Sequence, residues 1–329
     1  MAKVKWKTQK EGFVESLTYL QGRMHGKITS IKTPWNSFNE ATVNGIEWHS
    51  TTVIGARPAT GKTIIKDLLI AGAFKCNPSM SFRVLEFQFE MVGRVSAIRK
   101  YSGHTGKSYK QLCSADERLS DADFESCKAF AKEQIKYPID IVDEPCNILE
   151  FKEIIEEYMI EHSSLDKDGK RIYKNTIVTL DHSILLKRAP FEKDVYDTLY
   201  SLGEMVTTLK RRYPIAFIIV SQLNRNIDSP ERNEDGKYGN FILESDLFGA
   251  DALLQHADTL IGLNRPGKQK ITYYGVERYI INGDKTILAM HFLKSRNGET
   301  GVAFFRTEFE RMSITEIPTP PQQVRKVRI

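Results

Sequence analysis

The sequence predicts an α/β protein built on a mostly parallel central sheet, and three observations carry that expectation. Apolar runs such as TIVTL (176–180) and AFIIVSQL (216–223) are too uniformly hydrophobic for strands with one wet face. They suit strands covered on both faces. Such runs alternate along the chain with helical patterning, the order that lays helices over a parallel sheet. One strand-to-helix junction, TTVIGARPATGKTII (51–65), has the small-residue turn of a phosphate-binding loop.

Taken in order, residues 11–25 (EGFVESLTYLQGRMH) carry Phe13, Leu17, Leu20 and Met24 at helical spacing. This amphipathic helix packs either on its own domain or on a neighbour's. Residues 26–44 are polar and turn-rich, leading to a strand at 50–55 and a helix at 62–76. A strand at 82–89 and helices at 91–102 and 121–134 come next, then a strand at 139–143 and a helix at 148–162. The loop 163–171 contains DKDG but lacks the spaced oxygen ligands and closing Glu of a calcium loop. Beyond the strand at 176–180, a helix is expected at 194–212 and another strand at 216–223. The polar stretch NIDSPERNEDGKYG (226–239) reads as a mobile loop. A strand at 258–264 precedes strands and hairpins over 271–317, with NGD and NGE as turn signals. The segment 318–329 (PTPPQQVRKVRI) reads as a flexible basic tail, and no internal repeat is visible. The expected organisation is an N-terminal extension (1–25), one large domain (26–317) and that tail.

Composition sets outer limits. With 41% hydrophobic and 27% charged residues over 329 positions, the chain is an ordinary globular one, not disordered or collagenous. No apolar run approaches the roughly 20 residues that span a bilayer, and the basic N-terminus has no apolar core behind it to make a secretory signal. Cys76, Cys113, Cys127 and Cys146 show no zinc spacing and read as reduced thiols of a cytoplasmic protein. A net charge of +5 permits a polyanionic partner without demanding one.

The chemistry concentrates at strand ends. Ala56-x4-Gly61-Lys62-Thr63 is a Walker A pattern, with Arg57 inside the loop. Small residues let backbone N–H groups close on phosphates, Lys62 neutralises them, and Thr63 ligates Mg²⁺. TIVTLDHS ends an apolar run in Asp181, which suits either the Mg²⁺-side carboxylate of a Walker B strand or a simple cap. VLEFQFEM offers Glu86 and Glu90; Glu90 at the strand end is the candidate base, while mid-strand Glu86 suits an ion pair. Gln222 closes IIVSQLNR as an uncharged group able to bond a γ-phosphate or the attacking water.

The order GARPATGKT, FQFEM, TLDHS, VSQLNR, KSRNGETG resembles the DnaB-type replicative helicases of the RecA-like ATPase superfamily, over roughly residues 26–312. GARPATGKT is close to the family's GARPSMGKT, and VSQLNR is nearly its own string. The resemblance implies a RecA-like P-loop ATPase core with C-terminal β-hairpins, preceded by a linker helix at 11–25. It makes Glu90 the catalytic glutamate, Asp181 the Walker B aspartate and Gln222 the phosphate sensor. Ala56, Arg57, Gly61, Lys62 and Thr63 become the ATP-binding loop. It also assigns Lys294 and Arg296, in KSRNG, as a pair acting in trans on a neighbouring subunit's nucleotide. Implied with these are ATP and Mg²⁺ as cofactors, a hexameric ring on single-stranded DNA, and a primase or helicase loader as partner. DNA contact is implied for the loops 182–194 and 224–256, which offer Lys187, Arg188 and Arg225.

Two departures stand out. SDLFGADALLQHAD (245–258) keeps Ser245, Asp246, Gln255 and Asp258 of the family's SDLRESGAIEQDAD, but has Phe248 and Gly249 where the family has Arg-Glu. Only some 25 residues precede the match, where the family carries a helical domain of about a hundred; that shortness suggests a helicase of a phage or mobile element. The expected activity is ATP-driven DNA unwinding. A RecA- or RadA-like recombination ATPase and a nucleotide-gated assembly ATPase are the alternatives.

Overall fold

In the computed structural model, residues 6–91, 93–232, 240–318 and 320–322 are described. The first helix, α1 (Gln9–Met24), starts at a capping box in which the Thr8 hydroxyl accepts from the Glu11 N–H and the Glu11 carboxylate accepts from the Thr8 N–H. None of its residues is buried, and Phe13, Val14, Leu17, Leu20 and Met24 are each more than half exposed. Its apolar stripe therefore does not pack on its own domain. The helix is tied down near its C-terminus, where Arg23 pairs with Glu47 at 2.6 Å.

The polar, turn-rich reading of 26–44 needs correction. It contains α2 (Asn36–Ala41), and Ile31, Trp35 and Phe38 are core residues. Trp35 meets Phe305 edge-on, and Phe38 meets Phe292 the same way. Three scattered apolar residues beside a six-residue helix form no stripe that periodicity could reveal.

The body then runs β1 (Thr51–Ala56), α3 (Lys62–Cys76), β2 (Arg83–Gln88), α4 (Gly93–Thr105), α5 (Tyr109–Cys113), α6 (Asp121–Gln134), β3 (Ile139–Val142) and α7 (Ile148–Glu161). A two-residue ladder, β4 (Ser164–Leu165) with β5 (Arg171–Ile172), forms a hairpin where a loop was expected. Next come β6 (Thr176–Asp181), α8 (Val195–Arg212), β7 (Ile215–Gln222), α9 (Ala250–Leu254) and β8 (Thr259–Asn264). The short ladder β9 (Tyr273–Tyr274) with β10 (Tyr279–Ile280) precedes β11 (Ile287–Ser295), β12 (Gly301–Glu308) and β13 (Ser313–Ile317).

Nine strands make the main sheet, in the order β13-β12-β11-β8-β1-β7-β6-β2-β3. From β8 to β3 all neighbours are parallel; β11, β12 and β13 extend the sheet antiparallel beyond β8. Alternation divides each parallel strand between two cores. Val53, Phe217 and Ile219 pack with Leu199, Leu202 and Val206 of α8 and Phe151 and Ile155 of α7. Ile54, Ala216 and Ile218 pack with Ile65, Leu69 and Ile70 of α3. Both faces are covered, which is why these strands read as unbroken apolar runs. Each fully buried Leu, Ile, Val or Phe contributes about 1.5–3 kcal/mol relative to exposure.

The helices α4 to α6 are thinly packed, with α4 and α6 beside α3, and bury only Ser96, Ser102 and Cys127 among their described residues. They leave a groove of about 320 Å³ against α3, lined by Phe74, Lys100, His104, Phe130 and Tyr137.

The stretch after β7 contains local structure where described. Residues 225–232 fold into two 3₁₀ turns that bury Ile227, and Arg232 grips Asp246 with two bonds of 2.8 Å. Its remainder (233–239) and the tail from residue 323 lie outside the described residues.

Candidate nucleotide site

In a sheet of this kind, ligands bind outside the carboxyl ends of the parallel strands. β1 ends at buried Ala56, and the loop that follows enters α3 through Gly61, whose φ is +101°. A side chain there would be strained and would also collide with the Phe309 ring. The Lys62 ammonium turns back into the loop and donates to the carbonyls of Ala56 at 3.1 Å and Arg57 at 3.4 Å. Burial lowers its pKa, while the charges of Glu90 and Asp181 oppose that shift. The loop is thus a cationic cradle at the N-terminus of a fifteen-residue helix, the geometry that favours phosphate.

β6 delivers Asp181, 2% exposed, to the Thr63 hydroxyl, which donates to its Oδ1 at 3.3 Å. Asp181 does not cap the 3₁₀ turn after it, where no side chain caps the start. Burial, with the opposing charge of Lys66 and the added one of Asp67, leaves its pKa above the usual carboxylate value. Hydroxyl and carboxylate oxygens of this kind suit Mg²⁺, and Thr63 and Asp181 are the residues that would hold it. Among the described residues no cluster of three or more His, Cys, Asp or Glu could hold a metal ion.

β7 ends in Gln222, whose amide nitrogen lies 2.6 Å from His182 Nε2, so the ring accepts there. Glu90 is exposed just past β2, and its charge acts on Lys62, Asp181 and His182. Glu86 is fully buried and 3.9 Å from the Lys66 ammonium, the ion-pair role expected of it. Lys62, Thr63, Glu90, Asp181 and Gln222 are therefore brought to one rim.

Arg57 has a different partner. Its guanidinium bonds Asp228 at 2.8 Å and the Leu223 carbonyl at 3.2 Å, tying the phosphate loop to the stretch behind Gln222. Three further residues close on the loop without any sequence signal. Lys268 donates to the Ala59 carbonyl at 2.9 Å, and the Arg265 guanidinium stacks 4.7 Å above the Phe309 ring. They come from more than two hundred residues downstream, where no local pattern marks them. His182 was also missed; it holds φ of +73° between Asp181 and the 3₁₀ turn.

Lys294 and Arg296 lie elsewhere. β11 runs antiparallel to β8 and pairs Ser295 with Thr259, at the amino end of the parallel strands. The Arg296 N–H donates to the Asp258 carbonyl, and Asp258 exchanges bonds with Thr51 at the start of β1. About 16 Å of strand separates that point from the phosphate loop, well beyond the reach of an arginine side chain. Lys294 donates to the Leu254 carbonyl, and Arg296 pairs with Asp258 at 3.2 Å.

Lys187, Arg188 and Arg225 are exposed on the segments that follow β6 and β7. Arg188 donates to the Lys193 carbonyl at 2.7 Å. Phe248 stacks on Tyr196, with ring centroids 5.3 Å apart, and its N–H donates to the Gln222 carbonyl.

Comparison with known proteins agrees with this fold. Residues 30–314 match the DnaB-like helicase C-terminal domain family. No curated protein sequence matches the chain. Among solved structures it resembles a DnaB-like replicative helicase solved with its interactions with primase, at 18% identity and a TM-score of 0.72, over 92% of this chain and 67% of that one. It also resembles the ATPase domain of a second protein, at 17% identity and a TM-score of 0.73, over 92% of this chain and 98% of that one. With its RecA-like sheet and the family's match across most of its length, the chain belongs to the DnaB-like helicase C-terminal domain family.

Proposed function

We propose that the protein is an ATP-driven DNA helicase that works in the cytoplasm as a ring, hexameric as in the resemblance, and moves on single-stranded DNA. The observation that carries this reading is the division of the hydrolytic set. Lys62, Thr63, Glu90, Asp181 and Gln222 share one rim, and Lys294 and Arg296 occupy the opposite one. A complete site then needs two copies, head to tail.

In this scheme Lys62 and the α3 N-terminus hold the phosphates of ATP. Thr63 and Asp181 would hold Mg²⁺, which would supply charge neutralisation at the phosphates. Glu90 orients the attacking water and accepts its proton. Arg296 and Lys294 of the adjacent copy stabilise charge on the transferring phosphoryl group. Gln222 reports the γ-phosphate to the loop behind it, because its carbonyl accepts from the Phe248 N–H and Asn224 donates to the Asp246 carbonyl. Lys187, Arg188 and Arg225 track the DNA backbone without reading sequence. The open stripe of α1 docks on the adjacent copy, where the aromatic groove between α3, α4 and α6 offers an apolar seat. A primase or loader is the expected further partner.

Steady-state ATP hydrolysis with and without single-stranded DNA, with Lys62→Ala as control, tests the reading. Strong DNA stimulation, lost in the variant, supports the motor and leads to a forked-duplex unwinding assay. Hydrolysis indifferent to DNA overturns it in favour of an assembly ATPase. DNA-stimulated hydrolysis without unwinding favours a recombination-type filament.

A further inference from the structure

Behind the Thr63–Asp181 contact lies a buried cation that the Walker motifs do not include. Lys66, one turn into α3 from Lys62, is 0% exposed. Three carboxylates surround its ammonium: Asp67 at 3.1 Å, Asp181 at 3.6 Å and Glu86 at 3.9 Å. Burial works against its charge, but Asp67, Glu86 and Asp181 together outweigh that penalty and hold its pKa above the ordinary lysine value.

The fold explains how these groups meet. β2 and β6 pair so that Glu86 lies beside Thr179 and Gln88 beside Asp181. Strand alternation puts these four on the α3 side, continuing the rows begun by the core residues Val84 and Ile177. The interior under α3 thus turns from apolar to polar over the last residues of each strand. Helical side chains lean toward the helix N-terminus, so the long chain of Lys66 carries its ammonium up to the strand ends.

Thr63 and Lys66 are three residues apart and face the same side of α3. Thr63 donates to Asp181 Oδ1 at 3.3 Å, and the Lys66 ammonium lies 3.6 Å from Oδ2. One helix therefore holds both oxygens of one carboxylate. Glu86 is fixed in turn, because the Gln88 amide donates to its Oε2 at 2.6 Å. Its Oε1 has no hydrogen-bond partner, so the nearby ammonium is what compensates it.

We infer that Lys66 is the positioning residue of the metal-side carboxylate: it holds Asp181 Oδ2 so that Oδ1 stays turned toward Thr63 and the Mg²⁺ position, with Asp67 and Glu86 balancing its charge. The inference rests on the nucleotide-site reading proposed above. Lys66 acts through Asp181, and groups that orient a metal ligand in this way typically govern metal affinity by about 10–100-fold.

The test compares the full chain with a Lys66→Met, Glu86→Gln double variant, which removes one positive and one negative charge and leaves the net charge of the cluster unchanged. Equilibrium binding of a fluorescent ADP analogue is followed as Mg²⁺ is titrated, alongside ATP hydrolysis. The Mg²⁺ midpoint should rise about tenfold or more, while Mg²⁺-free nucleotide affinity holds and kcat falls more than KM changes. An unchanged midpoint in the folded variant overturns the inference and leaves the cluster a purely structural one. If that variant fails to fold, Lys66→Met with Glu86→Leu replaces the pair by packed apolar side chains, a change that often preserves stability, and the same midpoint decides. Wild-type nucleotide binding that ignores Mg²⁺, or that survives in Lys62→Ala, would instead overturn the nucleotide-site reading itself.

Discussion

The two rims of the parallel sheet are built to different standards. At the carboxyl rim Glu90 is exposed, but Lys62 and Asp181 are sunk, 8% and 2% exposed, and each bonds other residues of the site. At the amino rim the Arg296 side chain is 56% exposed and rests on Asp258 through one 3.2 Å contact. An exposed pair of that kind is worth about 0–1 kcal/mol, so Arg296 can leave Asp258 for a better anion at little cost. One rim is finished by its own chain. On the proposed reading, the other holds Arg296 and Lys294 for the nucleotide of a neighbouring copy.

The largest effect should come from the amino rim. Arg296→Ala is expected to cut ATP hydrolysis by roughly 10³-fold, the scale of an arginine finger, while nucleotide binding persists. Mixing this variant with Lys62→Ala should restore activity that neither has alone, because each supplies the rim the other lacks. Mixed assemblies that stay inactive would break the comparison.

Next in size is the proposed docking of α1 on a neighbouring copy. Leu17, at the centre of the open α1 stripe, is 65% exposed in the single chain. Leu17→Asp should raise the concentration needed for assembly by about 10–100-fold, the equivalent of one buried leucine. Sedimentation at several concentrations reads this, and unchanged assembly would remove α1 from the interface.

Behind both rims, the antiparallel extension provides a control. His291 is fully buried against Phe241, with the Tyr274 hydroxyl 2.7 Å from its Nε2. Burial drives its pKa down from 6.5 to about 3. The unfolded chain therefore takes up this proton before the native one does. The stability it protects is intact above pH 6.5 and lost as pH falls toward 3, by up to ~1.4 kcal/mol per pH unit. Denaturant titrations should show that His291→Leu flattens this slope; an unaltered slope would place the acid sensitivity elsewhere, in the rims included.

The smallest effect concerns the rest that holds Arg296. Asp258→Asn weakens the Arg296 contact and also breaks the Lys210–Asp258 pair, so it should lower stability while changing kcat by only about two- to fivefold. A loss as large as that of Arg296→Ala would mean that Asp258 serves the reaction directly.

The carboxyl rim was legible in the sequence because its groups stand at or just beyond strand ends or at the start of a helix. An apolar run followed at once by Asp181 or Gln222, or a small-residue turn before Lys62, is a local pattern that needs no knowledge of packing. Lys66 was illegible for the opposite reason. A lysine inside an amphipathic helix reads as solvated surface, and only the pairing of β2 with β6 brings Glu86 and Asp181 to meet it. The helix α2 escaped because six residues are too few to display a period. The turns at 225–232 escaped because their anchors, Arg57 and Asp246, are distant in sequence. Lys294 and Arg296 stood out only through family resemblance, since a hairpin end bearing cations is ordinarily just wet surface.

On the proposed reading, the placement of the two rims also governs how copies can add up. A two-fold dimer would set like against like, phosphate loop facing phosphate loop, and complete nothing. Head-to-tail addition completes one site at each junction, so an open row always ends in one idle loop and one idle pair of cations. Closing the row removes both ends at once. Activity per copy would then count junctions, and would rise as rows lengthen or close.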